Sequence, residues 1–197
     1  MPKVTEAYRE ARRDEIAAAA LRCFARKGYG GTSMADIIAE SGLSAGAIYG
    51  HYAGKRELFH AVTERVLSAR RDDLARAEEG GRVLSPGETM ATLLRGMISE
   101  PFAPQVMVQM WSEAAIDDEL RSVVGGILAL VRTTVREHIA AWVAADPSRG
   151  GDDPEGYIDA LTPIAMGLAP GFMIQRALSD GFDEEAYLAM LPEALPH

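Results

Sequence analysis

Residues 31–52, Gly31-Thr32-Ser33-Met34-Ala35-Asp36-Ile37-Ile38-Ala39-Glu40-Ser41-Gly42-Leu43-Ser44-Ala45-Gly46-Ala47-Ile48-Tyr49-Gly50-His51-Tyr52, leave the backbone few choices. Ser33 and Asp36 have capping-box spacing: the hydroxyl accepts from a first-turn N–H while the carboxylate reaches back to the cap. Gly42 sits where a helix end needs a left-handed residue. Ser44 then caps a new helix two positions later. Two short helices joined by so tight a turn make a helix-turn-helix.

Turn signals cut the remainder into helical lengths, and no segment shows convincing strand alternation. A first helix is expected from about Glu6 to Lys27, with Ile16, Ala19, Ala20, Cys23 and Phe24 at helical spacing and Gly28-Tyr29-Gly30-Gly31 ending it. The third helix should cover Ala45 to Tyr52, and a fourth should run from Lys55 to about Ala77. Further helices are expected near 87–99, 102–115, 117–145, 154–179 and 183–194, with a polar loop over 146–154. The fold class is therefore all-α, with a three-helix N-terminal head over 1–54 and a larger helical body over 55–197. Residues 55–77 form the connecting helix.

The net charge of −9 opposes a polyanionic partner, but its distribution does not. Residues 1–56 carry nine Lys/Arg against six Asp/Glu, whereas the rest carries 11 against 23. A basic head stands on an acidic body, and the local field matters more than the total. The single cysteine, Cys23, forms no internal disulfide and reads as a core residue. His51, His60, His138 and His197 lack metal-ligand spacing, and neither a nucleophile elbow nor a phosphate loop is present. No enzyme activity and no cofactor are expected. No apolar run approaches the ~20 residues of a membrane span, and the polar N-terminus lacks a signal-peptide core. A cytoplasmic protein with no membrane partner is the simplest reading.

A helix-turn-helix places its second helix in a DNA major groove. Ser44, Ala45, Gly46 and Ala47 are small and permit close approach, and Tyr49, His51 and Lys55 can donate to phosphates. Thr32 and Ser33 lie at another helix start, whose free N–H groups favour an anion. Lys55 opens the fourth helix, where a cation opposes the macrodipole and an external phosphate would relieve it. Alternatively, Tyr49 is a core aromatic and Lys55 a solvated end. Tyr52 reads as core.

The pattern Ile16…Ala19-Ala20…Phe24-Ala25…Gly28-Tyr29…Gly31-Thr32-Ser33-Met34…Asp36-Ile37…Gly42-Leu43-Ser44…Gly46-Ala47-Ile48-Tyr49…His51-Tyr52…Lys55…Leu58 resembles the tetracycline-repressor (TetR) family. Trp111-Ser112-Glu113-Ala114 and Glu119-Leu120-Arg121 resemble it more loosely. The resemblance implies a DNA-binding head, a helical ligand and dimer domain, and repression relieved by an effector. Its DNA contacts fall on Thr32, Ser33, Ser44, Ala45, Gly46, Ala47, Tyr49, Gly50, His51 and Lys55. Ala45 replaces a position that is often basic, and Ala47 and Gly50 bring no hydrogen-bonding side chain. That leaves specificity to the arm (Lys3, Arg9, Arg12, Arg13), to Ser44 or to DNA shape.

In the body, Met97, Phe102, Met107, Met110, Trp111, Met166, Phe172 and Met173 suit a pocket for a largely apolar effector, with Glu113 as a polar partner. The same spacing equally describes a helical core. Ala160, Ile164, Gly167 and Gly171 form a small row on the helix near 154–179, and with Tyr187, Leu188 and Leu191 could build a homodimer bundle. Two heads about one DNA turn apart would read a two-fold operator in double-stranded DNA. The alternative is a helical small-molecule-binding protein or enzyme that retains the fold without operator binding.

Overall fold

The computed structural model describes residues 6–98 and 104–197. Helix α1 spans Glu6–Lys27, with Glu6 in its first turn and Arg26 and Lys27 in its last, each sign complementing the macrodipole. Its buried stripe is Ile16, Ala17, Ala19, Ala20, Cys23, Phe24 and Ala25. Gly28 ends it at φ 71°, where its N–H donates to the Phe24 carbonyl. Helix α2 (Met34–Ser41) has the complete capping box: Ser33 Oγ accepts from Asp36 N at 3.2 Å, and Asp36 Oδ2 accepts from Ser33 N at 2.8 Å. Gly42 closes α2 at φ 68°.

Helix α3 (Ala45–Tyr49) is capped by Ser44, whose Oγ accepts from Ala47 N at 3.2 Å. It stops short of the expected Tyr52. The His51 N–H turns onto the Ile48 carbonyl in a tighter i→i−3 bond, so the helix closes in a turn although the Tyr52 N–H still reaches Ile48. Helix α4 (Lys55–Ala77) follows, and the Ala53 N–H donates to Glu57 Oε2 at 2.6 Å across its first turn.

The head core joins Ile16, Phe24, Ile37, Ile48 and Tyr52 to Leu58, Phe59 and Val62 from the first half of α4. The buried cluster thus continues past residue 54. Phe24 and Phe59 meet edge-on at 5.2 Å, and Tyr29 meets Phe59 at 5.0 Å. Such pairs add about 0.5–1.5 kcal/mol each beyond area burial. The body comprises α5 (Pro86–Ile98), α6 (Pro104–Ala114), α7 (Asp118–Ala145), a 3₁₀ turn (Pro147–Gly150), α8 (Pro154–Leu178) and α9 (Glu184–Ala194). Its core gathers Leu74 of α4 with Met90, Leu94, Ile139, Trp142, Leu161, Phe172, Leu188 and Leu191. No strand occurs among the described residues.

By length and composition α8 could cross a membrane, contrary to the sequence expectation, although here it packs against α5, α6, α7 and α9. In addition, α9 lies against α5 and buries Leu188 and Leu191 to 1% and 3% exposure, so neither is available to a second subunit.

The α5–α9 contact is close because Gly87 lacks a side chain: a Cβ there would stand 2.6 Å from Pro192 Cα and closer still to the Leu191 carbonyl. Gly87→Ala is expected to destabilise the fold by about 1–3 kcal/mol, as overpacking against backbone does. The readout is a lower urea midpoint at constant slope, and an unmoved midpoint would mean that α9 is not held this tightly. Asp36 gives a pH test. Hydrogen bonds from Lys27 and then Ser33 hold its carboxyl well below the usual carboxylate range. A depressed carboxyl contributes fully above its unfolded value of about 4, and that contribution fades as pH falls through the folded one. The stability gap between wild type and Asp36→Asn should be widest near neutrality and narrow below about pH 4. A gap that stays constant from neutral to acid would contradict this.

Candidate nucleic-acid interface

The outer face of the helix-turn-helix is built by caps and core anchors. Ile48 and Tyr52 point inward at 0% and 2% exposure and fix the rotation of α3. Ala45, Gly46, Tyr49 and Gly50 are consequently exposed, with Tyr49 at 51%. Ser44 is also exposed, while Ala47 and His51 are half-buried. Seven of the ten sequence-derived candidates (Ser44, Ala45, Gly46, Ala47, Tyr49, Gly50 and His51) thus lie along one short segment.

The other three behave differently. Thr32 is 2% exposed, and its hydroxyl donates to the Gly28 carbonyl at 2.7 Å, so it ties down the loop instead of facing outward. Ser33 remains exposed, but its hydroxyl donates to Asp36 Oδ2 at 2.6 Å while accepting from Asp36 N. Lys55 turns inward: its Nζ donates to the Tyr29 carbonyl at 2.9 Å and sits 4.3 Å from the Tyr29 ring centroid. The unfavourable cation at the start of α4 therefore meets a carbonyl and an aromatic face inside the chain.

Most basic groups of the head are similarly engaged. Arg22 and Arg26 both pair with Glu40, at 2.7 and 2.5 Å, and hold its carboxyl below the usual range. Lys27 pairs with Asp36 at 2.5 Å. These bridges pin α2 on α1. Arg12 bonds Glu15 and Tyr8. Arg13 stacks 4.7 Å from the Tyr52 ring centroid and reaches the His51 carbonyl, a long-range contact that sequence spacing did not suggest. Arg9 and Arg56 remain as exposed guanidinium groups, while Lys3 lies outside the described residues. Burial raises the Cys23 thiol, in keeping with a core role.

The candidate ligand residues do not share one cavity. Phe172 and Met173 are core, with Phe172 packed on Phe182 and Tyr187. Met97, Trp111 and Met166 lie half-buried against the body core. Met107 is half-buried on α6, whereas Met110 packs on the head core. Phe102 lies outside the described residues. Glu113 lines an open concavity of about 700 Å³ where head meets body, together with Tyr29, Gly30, Lys55, Arg56, Asp117 and Glu119. Its carboxylate accepts from Gln109 Nε2 at 2.8 Å, and a Cβ on Gly30 would stand 3.0 Å from it. This contact between α6 and the α1–α2 loop carried no signal in the sequence. On α8, Ala160, Ile164 and Gly167 are exposed and Gly171 is half-buried, and α7 lies alongside with Gly125, Leu128 and Ala129.

Comparison with known proteins divides along the same lines. Residues 16–62 match the model for bacterial regulatory proteins of the tetR family. The chain is 39% identical over 66 residues to the uncharacterised HTH-type transcriptional regulator YfiR of Bacillus subtilis, covering 34% of this chain and 32% of that one. It is 35% identical over 100 residues to the HTH-type transcriptional regulator TtgR of Pseudomonas putida, covering 51% and 47%. The chain thus spans between about a third and a half of the length of the curated relatives it matches. In fold, it superposes on a TetR-family crystal structure from Rhodococcus sp. with a TM-score of 0.72 at 20% identity, covering 94% of this chain and 96% of that one. GusR of Salmonella enterica gives 0.67 at 19%, covering 98% and 96%. The segment that matches the tetR-family model contains the capped helix pair and its outward α3 face, and the likeness in fold extends through the body.

Proposed function

We propose that this chain is a cytoplasmic, homodimeric transcriptional regulator that binds double-stranded operator DNA through α3 and represses until a small-molecule effector releases it. The observation that carries the reading is the exposed α3 face, held by two capped turns and two buried anchors inside the segment that matches the family. Ser44, Tyr49 and His51 supply hydrogen-bonding groups along it. Arg9 and Arg56 are exposed cations elsewhere on the head, and Lys55 would have to leave Tyr29 to reach DNA.

The partner subunit is proposed to dock on α8 and α7 instead of α9. Ile164 and Leu178 on α8 are 62% and 72% exposed, and Leu128 on α7, beside the groove between the two helices, is 45% exposed. A Cβ on Gly125, Gly126, Gly167 or Gly171 would meet nothing within 4 Å, so backbones can approach closely there. An apolar face with small residues beside the groove between α7 and α8 is self-complementary across a two-fold axis.

The effector is proposed to be a largely apolar small molecule bound in the body near α6, whose Met110 and Trp111 lie between the two cores. Binding releases DNA only if the effector prefers the free conformation, because linkage requires a difference in affinity. Two structural links would carry that difference to the head: α4, buried in both cores, and Glu113 against Gly30.

Fluorescence anisotropy with DNA from the protein's own promoter region tests the reading. Wild type should bind with affinity that falls steeply with salt, and Tyr49→Phe should weaken it about fivefold, the value of one hydrogen bond. Equal binding to promoter and random DNA, with Tyr49→Phe unchanged, would favour a ligand-binding protein that keeps the fold without reading operators. Ile164→Glu is expected to convert a dimer to a monomer in light scattering. A dimer that persists at micromolar concentration would remove α8 from the interface.

A further inference from the structure

Resting on the DNA-binding reading, the composition of the α3 face limits how bases can be told apart. In the major groove, guanine is read by donors on Arg or Lys, adenine by the donor–acceptor pair of Asn or Gln, and cytosine by an acidic acceptor. None of these residue types occurs between Ser44 and Gly50. Ser44 and Tyr49 offer hydroxyls, which donate and accept with equal ease and fit more than one base. The Ser44 oxygen already accepts from Ala47 N. Gly46 and Gly50 present bare backbone, and a Cβ added at Gly46 would meet nothing within 4 Å. Ala47 is half-buried and Ile48 fully so.

One side chain on the outward face matches a single base. Ala45 is exposed in the first turn of α3, one helical turn before Tyr49, and a methyl group pairs favourably with the thymine C5-methyl, which no other base carries. We propose that direct base discrimination by this head rests on apolar contact between Ala45 and a thymine methyl, with Gly46 and Gly50 letting the helix come near enough for so short a side chain to reach. A contact from the exposed Tyr49 to phosphate fixes register without reading sequence.

The test begins by selecting a preferred site from a randomised duplex library with the full-length chain. Each thymine of the half-site is then replaced by uracil, which removes only the C5-methyl, and affinities are compared for wild type and Ala45→Gly. The substitution lies on the exposed face and leaves Ser44 as cap, and the uracil series on wild type needs no variant at all. Uracil at one position should weaken wild-type binding about fourfold, the value of one buried methyl group, and Ala45→Gly should bind the thymine and uracil duplexes alike. Uracil tolerated at every position would overturn the proposal and assign specificity to DNA shape or to the N-terminal arm. A uracil penalty unchanged in Ala45→Gly would overturn it by assigning the methyl to another residue. Absence of salt-sensitive binding to any duplex would instead bring down the DNA-binding reading beneath it.

Discussion

The structure depends on one helix being buried at both ends. Leu58, Phe59 and Val62 near the start of α4 complete the head core, and Leu74 near its end is 1% exposed in the body core. Removing either end from its cluster would expose apolar surface worth about 25 cal/mol for each Å². The two cores therefore constrain the same rigid rod. Val123 of α7 reinforces this by entering the head cluster from the body side. The three head helices, which have few residues with which to build a core alone, are stabilised in part by what lies beneath them.

Much of the fold was legible because punctuation residues mark its helices. Ser33, Gly42, Ser44, Asp117, Asp153 and Asp183 act as caps where their chemistry suits them. Most boundaries lie within a residue or two of the expectation. The α3 terminus was the exception, because three consecutive N–H groups choosing between carbonyls is a matter of loop geometry beyond residue patterning. The placement of Tyr52 in the core and Tyr49 outside was recoverable from helical phase once Ile48 was taken as an anchor.

What the sequence could not convey is which neighbour an apolar or charged group meets. Leu188 and Leu191 form an apolar stripe, but periodicity does not say whether α5 or a partner subunit covers it. Lys55 and Thr32 have the chemistry of phosphate ligands, yet the loop through Gly28 and Tyr29 supplies carbonyls that engage them first. The methionines scatter among core, junction and head because their spacing is helical wherever they stand. The cations show the same limit: a count of nine describes the field of the head, whereas ion pairs with α2 determine how many of them stand free.

That charge arrangement also governs how the molecule would move near a polyanion. Nine basic groups against six acidic ones in residues 1–56, and 11 against 23 beyond, make the chain an electric dipole as well as a net anion. At distances beyond the screening length of about 8–10 Å the surrounding ions hide both features. Inside it, the field exerts a torque that turns the basic end forward while repelling the acidic end. Against such a surface the body would act as an electrostatic filter on orientation, disfavouring encounters that arrive wrong way round before any side chain makes contact.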